Sequence, residues 1–190
     1  AGLEAEIVAI PSFTDAWRTS LLRSQGLPYQ RRSLLGCFMG RGVSKAYAVT
    51  DNHRGLLASL AAVPGFVVAE FREDYRAVMG QSIFCLVPKG VGTFSHRLFE
   101  AFLAGCVPVI LSDDALLPFQ GLVPWARLSV RWPMRRVDNT TLPLHLRGLA
   151  DSGAVEGMKR LVDAHACWFD YHSEVDGCSP LAGITHELRR

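Results

Sequence analysis

Short apolar runs alternate with longer segments of helical periodicity along most of this chain, and this alternation limits its possible folds more than any other feature. It predicts successive strand–helix units that build a parallel sheet. We expect five strands, at Leu34–Gly40, Phe66–Phe71, Ser82–Pro88, Cys106–Leu111 and Leu128–Trp132. The helices between them are expected at Asn52–Val63, Asp74–Gly80, Ser95–Ala104 and Leu122–Arg127, with lengths that suit right-handed crossovers. The predicted fold class is α/β, a parallel sheet flanked by helices.

The two ends of the chain depart from this pattern. After Pro133 the sequence predicts only helices, near Leu142–Ala150, Ala154–His165 and Ala182–Arg189. Before residue 34, Ile7–Pro11 fits either a strand or a linker, and Phe13–Ser24 fits an amphipathic helix. We therefore expect residues 1–33 to be a linker or the remnant of a preceding region. Residues 34–133 would form the sheet domain, with 134–190 as a helical tail packed on it.

Composition excludes several classes of protein. The chain has 190 residues, 49% of them hydrophobic, which is enough to form one core without metals or disulfides. Twenty Lys and Arg against eighteen Asp and Glu leave a net charge of +2, which argues against a protein that binds nucleic acid or an anionic membrane through its overall charge. No apolar run reaches the length of a membrane span and the start lacks signal-peptide features, so we expect a soluble piece whose targeting segment lies upstream.

The densest motif spans residues 82–119. In an open parallel sheet, ligands bind outside the carboxyl ends of the strands, so we expect chemistry in the loops at 41–44, 89–94 and 112–119. Ser95 is a good N-cap for the helix that follows, and Arg97 lies in its first turn. A cation there is unfavourable by about 0.3–1 kcal/mol unless an anion lies nearby. A nucleotide diphosphate would supply that anion, and Glu100 could then accept hydrogen bonds from ribose hydroxyls.

The residues leave a second interpretation of the same helix open. Arg97 and Glu100 stand three positions apart, so they could form only a surface ion pair worth about 0.2–0.5 kcal/mol. Spacing alone does not decide between an ion pair and a nucleotide site.

The motif also matches a known family pattern. It reads Phe84-Cys85-Leu86-Val87-Pro88-Lys89-Gly90, then Ser95, Arg97, Glu100-Ala101, Gly105-Cys106-Val107-Pro108-Val109 and Leu117-Pro118-Phe119, with Trp125 and Ser129-Val130 continuing it. This stretch closely resembles the donor-binding half of the exostosin family of glycosyltransferases, without gaps over about fifty residues. The match combines several independent elements, so it is more specific than a lone Gly-rich loop.

The resemblance implies a Rossmann-like domain that is the second half of a glycosyltransferase-B fold, with residues 34–133 as the nucleotide-sugar-binding domain. It implies an inverting, metal-independent transfer of a sugar from a nucleotide diphosphate sugar, such as a UDP-sugar, to a polysaccharide or glycan acceptor. Neither a cofactor nor a metal is expected. The implied location is the Golgi lumen, with any membrane anchor outside this chain, and another transferase as a possible partner in a homo- or hetero-oligomer.

On this interpretation the site residues divide by the part of the donor that they contact, and no catalytic base is assigned. The diphosphate set is Arg97, Ser95, Lys89 and Gly92, and Glu100 binds the ribose. The residues expected near the donor sugar or base are Gly40, Arg41, Asp113, Asp114, Leu117, Pro118 and Phe119.

Two further functional interpretations stay open. The chain could be a catalytically silent nucleotide-binding or scaffold module that serves an active transferase. A flavodoxin-like or phosphatase-like domain would need phosphate and catalytic motifs that we do not find. Asp113-Asp114 could bind a metal or act as a general base. The family resemblance argues against a metal, and an Asp after a strand more often caps a turn.

Five cysteines lack the paired spacing of a structural zinc site. Cys85 and Cys106 lie on successive strands, and neighbouring strands are about 4.8 Å apart, within the separation that a disulfide tolerates. We predict that they form a bridge, the alternative being two buried free thiols. Cys167 and Cys178 are a weaker candidate pair, which would leave Cys37 unpaired.

Overall fold

The computed structural model describes residues 9–40, 54–89, 95–113 and 115–189. Five parallel strands form one sheet: β1 Leu34–Met39, β2 Phe66–Ala69, β3 Ser82–Pro88, β4 Val107–Leu111 and β5 Val130–Arg131. Their spatial order is β2-β1-β3-β4-β5. The register places Cys37 opposite Cys85 and Leu86 opposite Val109. The α/β fold with a parallel sheet is confirmed.

Eight α-helices accompany the sheet in the described ranges. They are α1 Ala16–Gln25, α2 Arg54–Ser59, α3 Tyr75–Gln81, α4 His96–Leu103, α5 Trp125–Leu128, α6 Thr141–Asp151, α7 Ala154–His165 and α8 Pro180–Glu187. Short 3₁₀ turns lie at Tyr29–Arg31, Leu60–Ala62, Met134–Arg136 and Ala166–Phe169. The described part of the chain after Pro133 contains three α-helices and no strand, as the sequence predicts.

The predicted element bounds agree best where the chain is well punctuated. β3 and α7 have the predicted limits. The predicted helix at Leu122–Arg127 is wrong in extent, because Pro124 disfavours helical backbone at the residue before it and only one turn, α5, follows. β2 ends at Ala69, before the 77% exposed Phe71. Pro11 and its two predecessors form no strand; Ile7 and Val8 lie outside the described residues.

Two buried clusters fill the space between sheet and helices. The larger one includes Phe84, Phe99, Phe102 and Phe169, and the smaller one includes Leu22 of α1, Met79 of α3 and three cysteines. α1 and α3 meet at backbone contact: a Cβ added to Gly80 would lie 1.9 Å from the carbonyl oxygen of Gln25. Only glycine allows this approach.

The segment before α1 is held by the C-terminal region. The hydroxyl of Tyr171 donates to the carbonyl of Pro11 at 2.8 Å, and the ring of Phe13 lies 5.5 Å from that of Tyr171. Arg23 pairs with Asp170, whose side chain is 2% exposed. The segment before α1 and α1 itself therefore pack against the residues around 170–172.

Candidate nucleotide-sugar site

The strand order creates a crevice between β1 and β3. The chain runs from β1 outward to β2 and then crosses to β3 on the other side of β1, so the connections leave β1 and β3 in opposite directions. Ligands of open α/β sheets bind at such a switch point, outside the carboxyl ends of the strands. Arg97 lies there: it borders a cavity with room for about one water molecule, together with Cys37 and Met39 of β1 and Cys85 of β3.

The start of α4 holds the residues predicted to bind a diphosphate and ribose. The Ser95 hydroxyl accepts a hydrogen bond from the backbone N–H of Arg97 at 3.4 Å, as an N-cap should. Arg97 and Glu100 form an ion pair, and their side chains are 31% and 14% exposed. The ion pair that the sequence left as an alternative is therefore present. It lies at the switch point, where an arriving anion would compete with Glu100 for the guanidinium.

An aromatic and arginine stack supports Arg97 from the neighbouring helices. The guanidinium of Arg97 lies 5.5 Å from the ring centroid of Tyr75, the first residue of α3. On the same ring, Arg76 lies at 4.6 Å, and it also lies 5.2 Å from the ring of Trp17. Burial, followed by the nearby charge of Glu100, raises the pKa of the Tyr75 hydroxyl, so Tyr75 stays neutral at physiological pH. Tyr75 therefore offers Arg97 an aromatic face rather than a competing anion.

The other predicted site residues fall into three groups. Gly40 and Lys89 come directly after β1 and β3, and Asp113 is exposed two residues after β4, so all three lie at the carboxyl edge of the sheet. Leu117 and Phe119 are buried in the larger core, and Pro118 between them is also buried. Arg41, Gly92 and Asp114 lie outside the described residues.

The loop after β4 is shaped by packing. The indole N–H of Trp125 donates to the carbonyl of Pro118 at 2.9 Å. Phe119 has a φ of 54°, a left-handed conformation that is uncommon for a bulky residue. The side chains of Leu117 and Phe119 are therefore occupied in the core, and the role of this loop in bordering the donor sugar stays a prediction.

The cysteine pairing is as predicted. Cys85 and Cys106 form a disulfide with Cα atoms 5.7 Å apart, and Cys167 pairs with Cys178. Cys37 is a buried free thiol. The Cys85–Cys106 bridge connects the strand before α4 to the residue before β4, so it brackets the helix that carries Arg97 and Glu100.

Arg32 is the residue that sequence reasoning missed. It is 7% exposed and donates to four backbone carbonyls: Leu27 at 2.8 Å, Met79 at 3.4 Å, Ser82 at 2.5 Å and Ala104 at 2.8 Å. Met79 and Ala104 lie at the carboxyl ends of α3 and α4. The Met79 carbonyl also accepts from the backbone N–H of Ser82, so Arg32 is its second donor. Burial lowers the pKa of Arg32 to about 10, which still leaves it charged at neutral pH. Its neighbours in sequence gave no signal, because its partners are backbone atoms from distant segments.

The described residues form neither a membrane-spanning helix nor a metal-binding cluster. Among the described residues, no helix is both long and apolar enough to cross a bilayer. Within the same ranges, His, Cys, Asp and Glu side chains form no group of three that could hold a metal ion.

Comparison with known proteins identifies related sequences. The model of the Exostosin GT47 domain matches residues 2–145. A probable glucuronosyltransferase of Oryza sativa subsp. japonica is 44% identical over 135 residues, which are 67% of this chain and 32% of that protein.

Shorter matches reach other plants. A probable β-1,4-xylosyltransferase of Arabidopsis thaliana is 42% identical over 64 residues, covering 34% of this chain and 15% of the relative. A probable glucuronosyltransferase of Physcomitrium patens is 41% identical over 64 residues, covering 34% and 14%. The chain thus spans a third or less of the length of each of these relatives.

Proposed function

The chain belongs to the exostosin GT47 family, and we propose that it forms the donor-binding half of a glycosyltransferase that moves a sugar from a nucleotide diphosphate sugar to a glycan acceptor. The observation that carries this proposal is the position of Arg97 and Glu100 on α4, at the switch point between β1 and β3. Family membership supports the transfer reaction, and the site geometry supports the donor.

Arg97 binds the diphosphate in this proposal. Its guanidinium is partly exposed and stands at the positive end of a helix, where a phosphate gains both a charge-assisted hydrogen bond and the helix dipole. Ser95 fixes the helix start. Lys89, directly after β3, and Gly92 are the further diphosphate ligands of this proposal. When the diphosphate displaces Glu100 from Arg97, the Glu100 carboxylate, one helical turn after Arg97, is free to accept hydrogen bonds from the ribose hydroxyls.

The donor in this proposal is a UDP-sugar. The relatives are named for glucuronosyl and xylosyl transfer, so UDP-glucuronate and UDP-xylose are the first donors to test. The transfer inverts the anomeric centre and uses no metal or other cofactor, and no residue is assigned as its catalytic base. The protein acts in the Golgi lumen as part of a longer, membrane-anchored chain, alone or with a second transferase, on a polysaccharide acceptor.

Binding of uridine, UMP and UDP tests the site by calorimetry. The parent chain is expected to bind UDP with a Kd of about tens to hundreds of micromolar, because in this proposal it forms only the donor wall of the cleft. Arg97→Ala should weaken UDP binding by about 1.5–3 kcal/mol, roughly 10- to 150-fold, and leave uridine binding little changed. Glu100→Gln should weaken all three ligands, because each carries the ribose.

Arg147→Ala is the matched control. Arg147 donates to the carbonyl of Pro64, two residues before β2, at the amino edge of the sheet, so its loss should leave UDP binding unchanged. Equal UDP affinity of Arg97→Ala, Glu100→Gln and the parent would refute the site.

A transfer assay tests the reaction itself. The 190-residue chain and a longer chain containing it are incubated with UDP-sugars and oligosaccharide acceptors, and products are identified by mass spectrometry. Multiple turnovers by the longer chain but not by the 190-residue chain support the proposal, because the active site of such an enzyme lies in a cleft between two domains. Nucleotide binding without transfer by the longer chain would instead support the scaffold function.

A further inference from the structure

Three sulfur atoms meet under the candidate site. Cys37 and Cys85 are register partners on β1 and β3, and their Sγ atoms are 3.6 Å apart. Cys85 is at the same time bonded to Cys106. All three residues are buried in the smaller core cluster, with exposures of 2%, 2% and 0%. One sulfur, that of Cys85, therefore lies between a bonded partner and a free thiol in van der Waals contact.

We propose that Cys37 exchanges with Cys106 for the disulfide bond to Cys85. The Cys37 thiolate attacks Sγ of Cys85, the Cys37–Cys85 bond forms as the Cys85–Cys106 bond breaks, and Cys106 leaves as a thiolate that takes up the proton Cys37 has lost. The number of disulfides is the same before and after, so the step needs no oxidant or reductant. The geometry permits the product, because the Cα atoms of register partners on neighbouring strands are about 4.8 Å apart.

Protonation of Cys37 limits the rate of the exchange, because only the thiolate attacks a disulfide. Burial raises the pKa of this thiol to about 11, against the opposing effects of a hydrogen bond with Ser82 and of the positive charges of Arg32 and Arg97. From α1 and α3, the buried side chains of the same cluster, Leu22 and Met79 among them, are apolar. Tyr75 of α3 packs against the cluster, and its raised pKa keeps the phenol neutral. Below this pKa the ionised fraction of the thiol rises about tenfold per pH unit, so exchange is slow near neutrality and about 100 times faster at pH 9 than at pH 7.

The exchange changes what the disulfide holds. The Cys85–Cys106 bond closes 21 residues around α4, whereas a Cys37–Cys85 bond ties β1 to β3 and leaves the end of α4 without its covalent link. The helix that carries Arg97 and Glu100 is thus fixed in one isomer and loosened in the other. This redox-neutral device is independent of whether the site binds a nucleotide.

Disulfide mapping tests the exchange on protein secreted from an oxidising compartment. Samples held without reductant at pH 7 and pH 9 are quenched with acid, denatured in N-ethylmaleimide, digested and analysed by mass spectrometry. We expect a peptide linked through Cys37 and Cys85, together with alkylated Cys106, to appear about 100 times faster at pH 9. The Cys167–Cys178 peptide is the internal control, and the Cys37→Ser variant should show only the original bridge at both pH values.

The Cys106→Ser variant gives a second measurement. It should contain a Cys37–Cys85 disulfide, and the amides of α4 should exchange with deuterium several-fold faster than in Cys37→Ser. The proposal is overturned if, in the parent at pH 9, only Cys37 is alkylated and alkylated Cys106 does not appear. That result decides the question even where Cys106→Ser fails to fold. Free Cys37 and Cys85 in folded Cys106→Ser would overturn it as well.

Discussion

Replacing Arg32 by methionine is expected to destabilise the fold more than any change to an exposed arginine. Its guanidinium is buried and joins four carbonyls from three parts of the chain: the turn after α1, the α3–β3 junction and the end of α4. Methionine keeps much of the side-chain volume and removes every donor. The carbonyls of Ser82 and Ala104 then lose partners inside the protein.

The magnitude follows from these bonds and from the cost of the buried charge. Three of the four hydrogen bonds are 2.8 Å or shorter, and the fourth, to Met79, is long at 3.4 Å. Charge-assisted bonds contribute about 1.5–3 kcal/mol each, but removing the charge also removes its desolvation penalty, the effect that lowers the pKa of Arg32. We therefore expect a net loss of about 3–5 kcal/mol of unfolding free energy, not the full sum.

Urea unfolding followed by circular dichroism measures this loss. Arg32→Met should shift the midpoint to lower urea at an unchanged slope. Arg32→Lys should recover only part of the loss, because an ammonium cannot reproduce the planar set of donors. Arg31→Met is the matched control: Arg31 is exposed, so its change should stay within about 0.5 kcal/mol. The reasoning fails if Arg32→Met unfolds within about 1 kcal/mol of the parent.

Two further predictions concern the ends of helices. Tyr75→Leu should raise the Kd for UDP about three- to tenfold, because Arg97 loses the aromatic ring that it packs against. Tyr75→Phe keeps the ring and should bind UDP as the parent does. Equal effects of the two variants in a UDP titration would contradict the stacking role. Asp138→Ala should lower the unfolding free energy by about 1 kcal/mol at pH 7, because this carboxylate accepts hydrogen bonds from the N–H groups of Thr140 and Thr141 at the start of α6. Asp138→Asn keeps an acceptor oxygen and should lose little unfolding free energy. The Thr141 hydroxyl and these N–H groups hold the pKa of Asp138 below its usual value. The stabilisation by Asp138 is therefore complete above the unfolded pKa of about 4 and is lost as the pH falls through the folded pKa. If the difference in unfolding free energy between Asp138→Ala and the parent, measured in urea, is the same at pH 2 as at pH 7, this prediction is wrong.

Elements with clear boundaries were predictable from sequence. β3 is a continuous apolar run that ends at Pro88. α7 begins directly after Gly153, a glycine with left-handed backbone. Both elements have the predicted limits. The region at 122–132 was harder, because its apolar residues fit several periods. There the backbone restriction before Pro124 decided the start of the helix, and β5 shrank to two residues.

The candidate site divides in the same way. The motif placed Arg97 and Glu100 on one helix, and parallel pairing of successive strands predicted the Cys85–Cys106 bridge. The contact of Cys37 with Cys85 depends on β1 lying beside β3 and not beside β2 alone, which follows from the strand order and not from local sequence. The stack on Tyr75 likewise joins two helices that follow different strands.

The backbone contact at Gly80 limits how this sequence can drift over evolutionary time. Even a methyl group there would collide with the carbonyl of Gln25 and push α1 away from α3, so we expect selection against any substitution at this position. Gly148 and Gly157 have open space around them within α6 and α7, and alanine there would favour the helix by roughly 0.5–1 kcal/mol. Divergent descendants of this chain should therefore lose those two glycines freely and retain the one at which two helices touch.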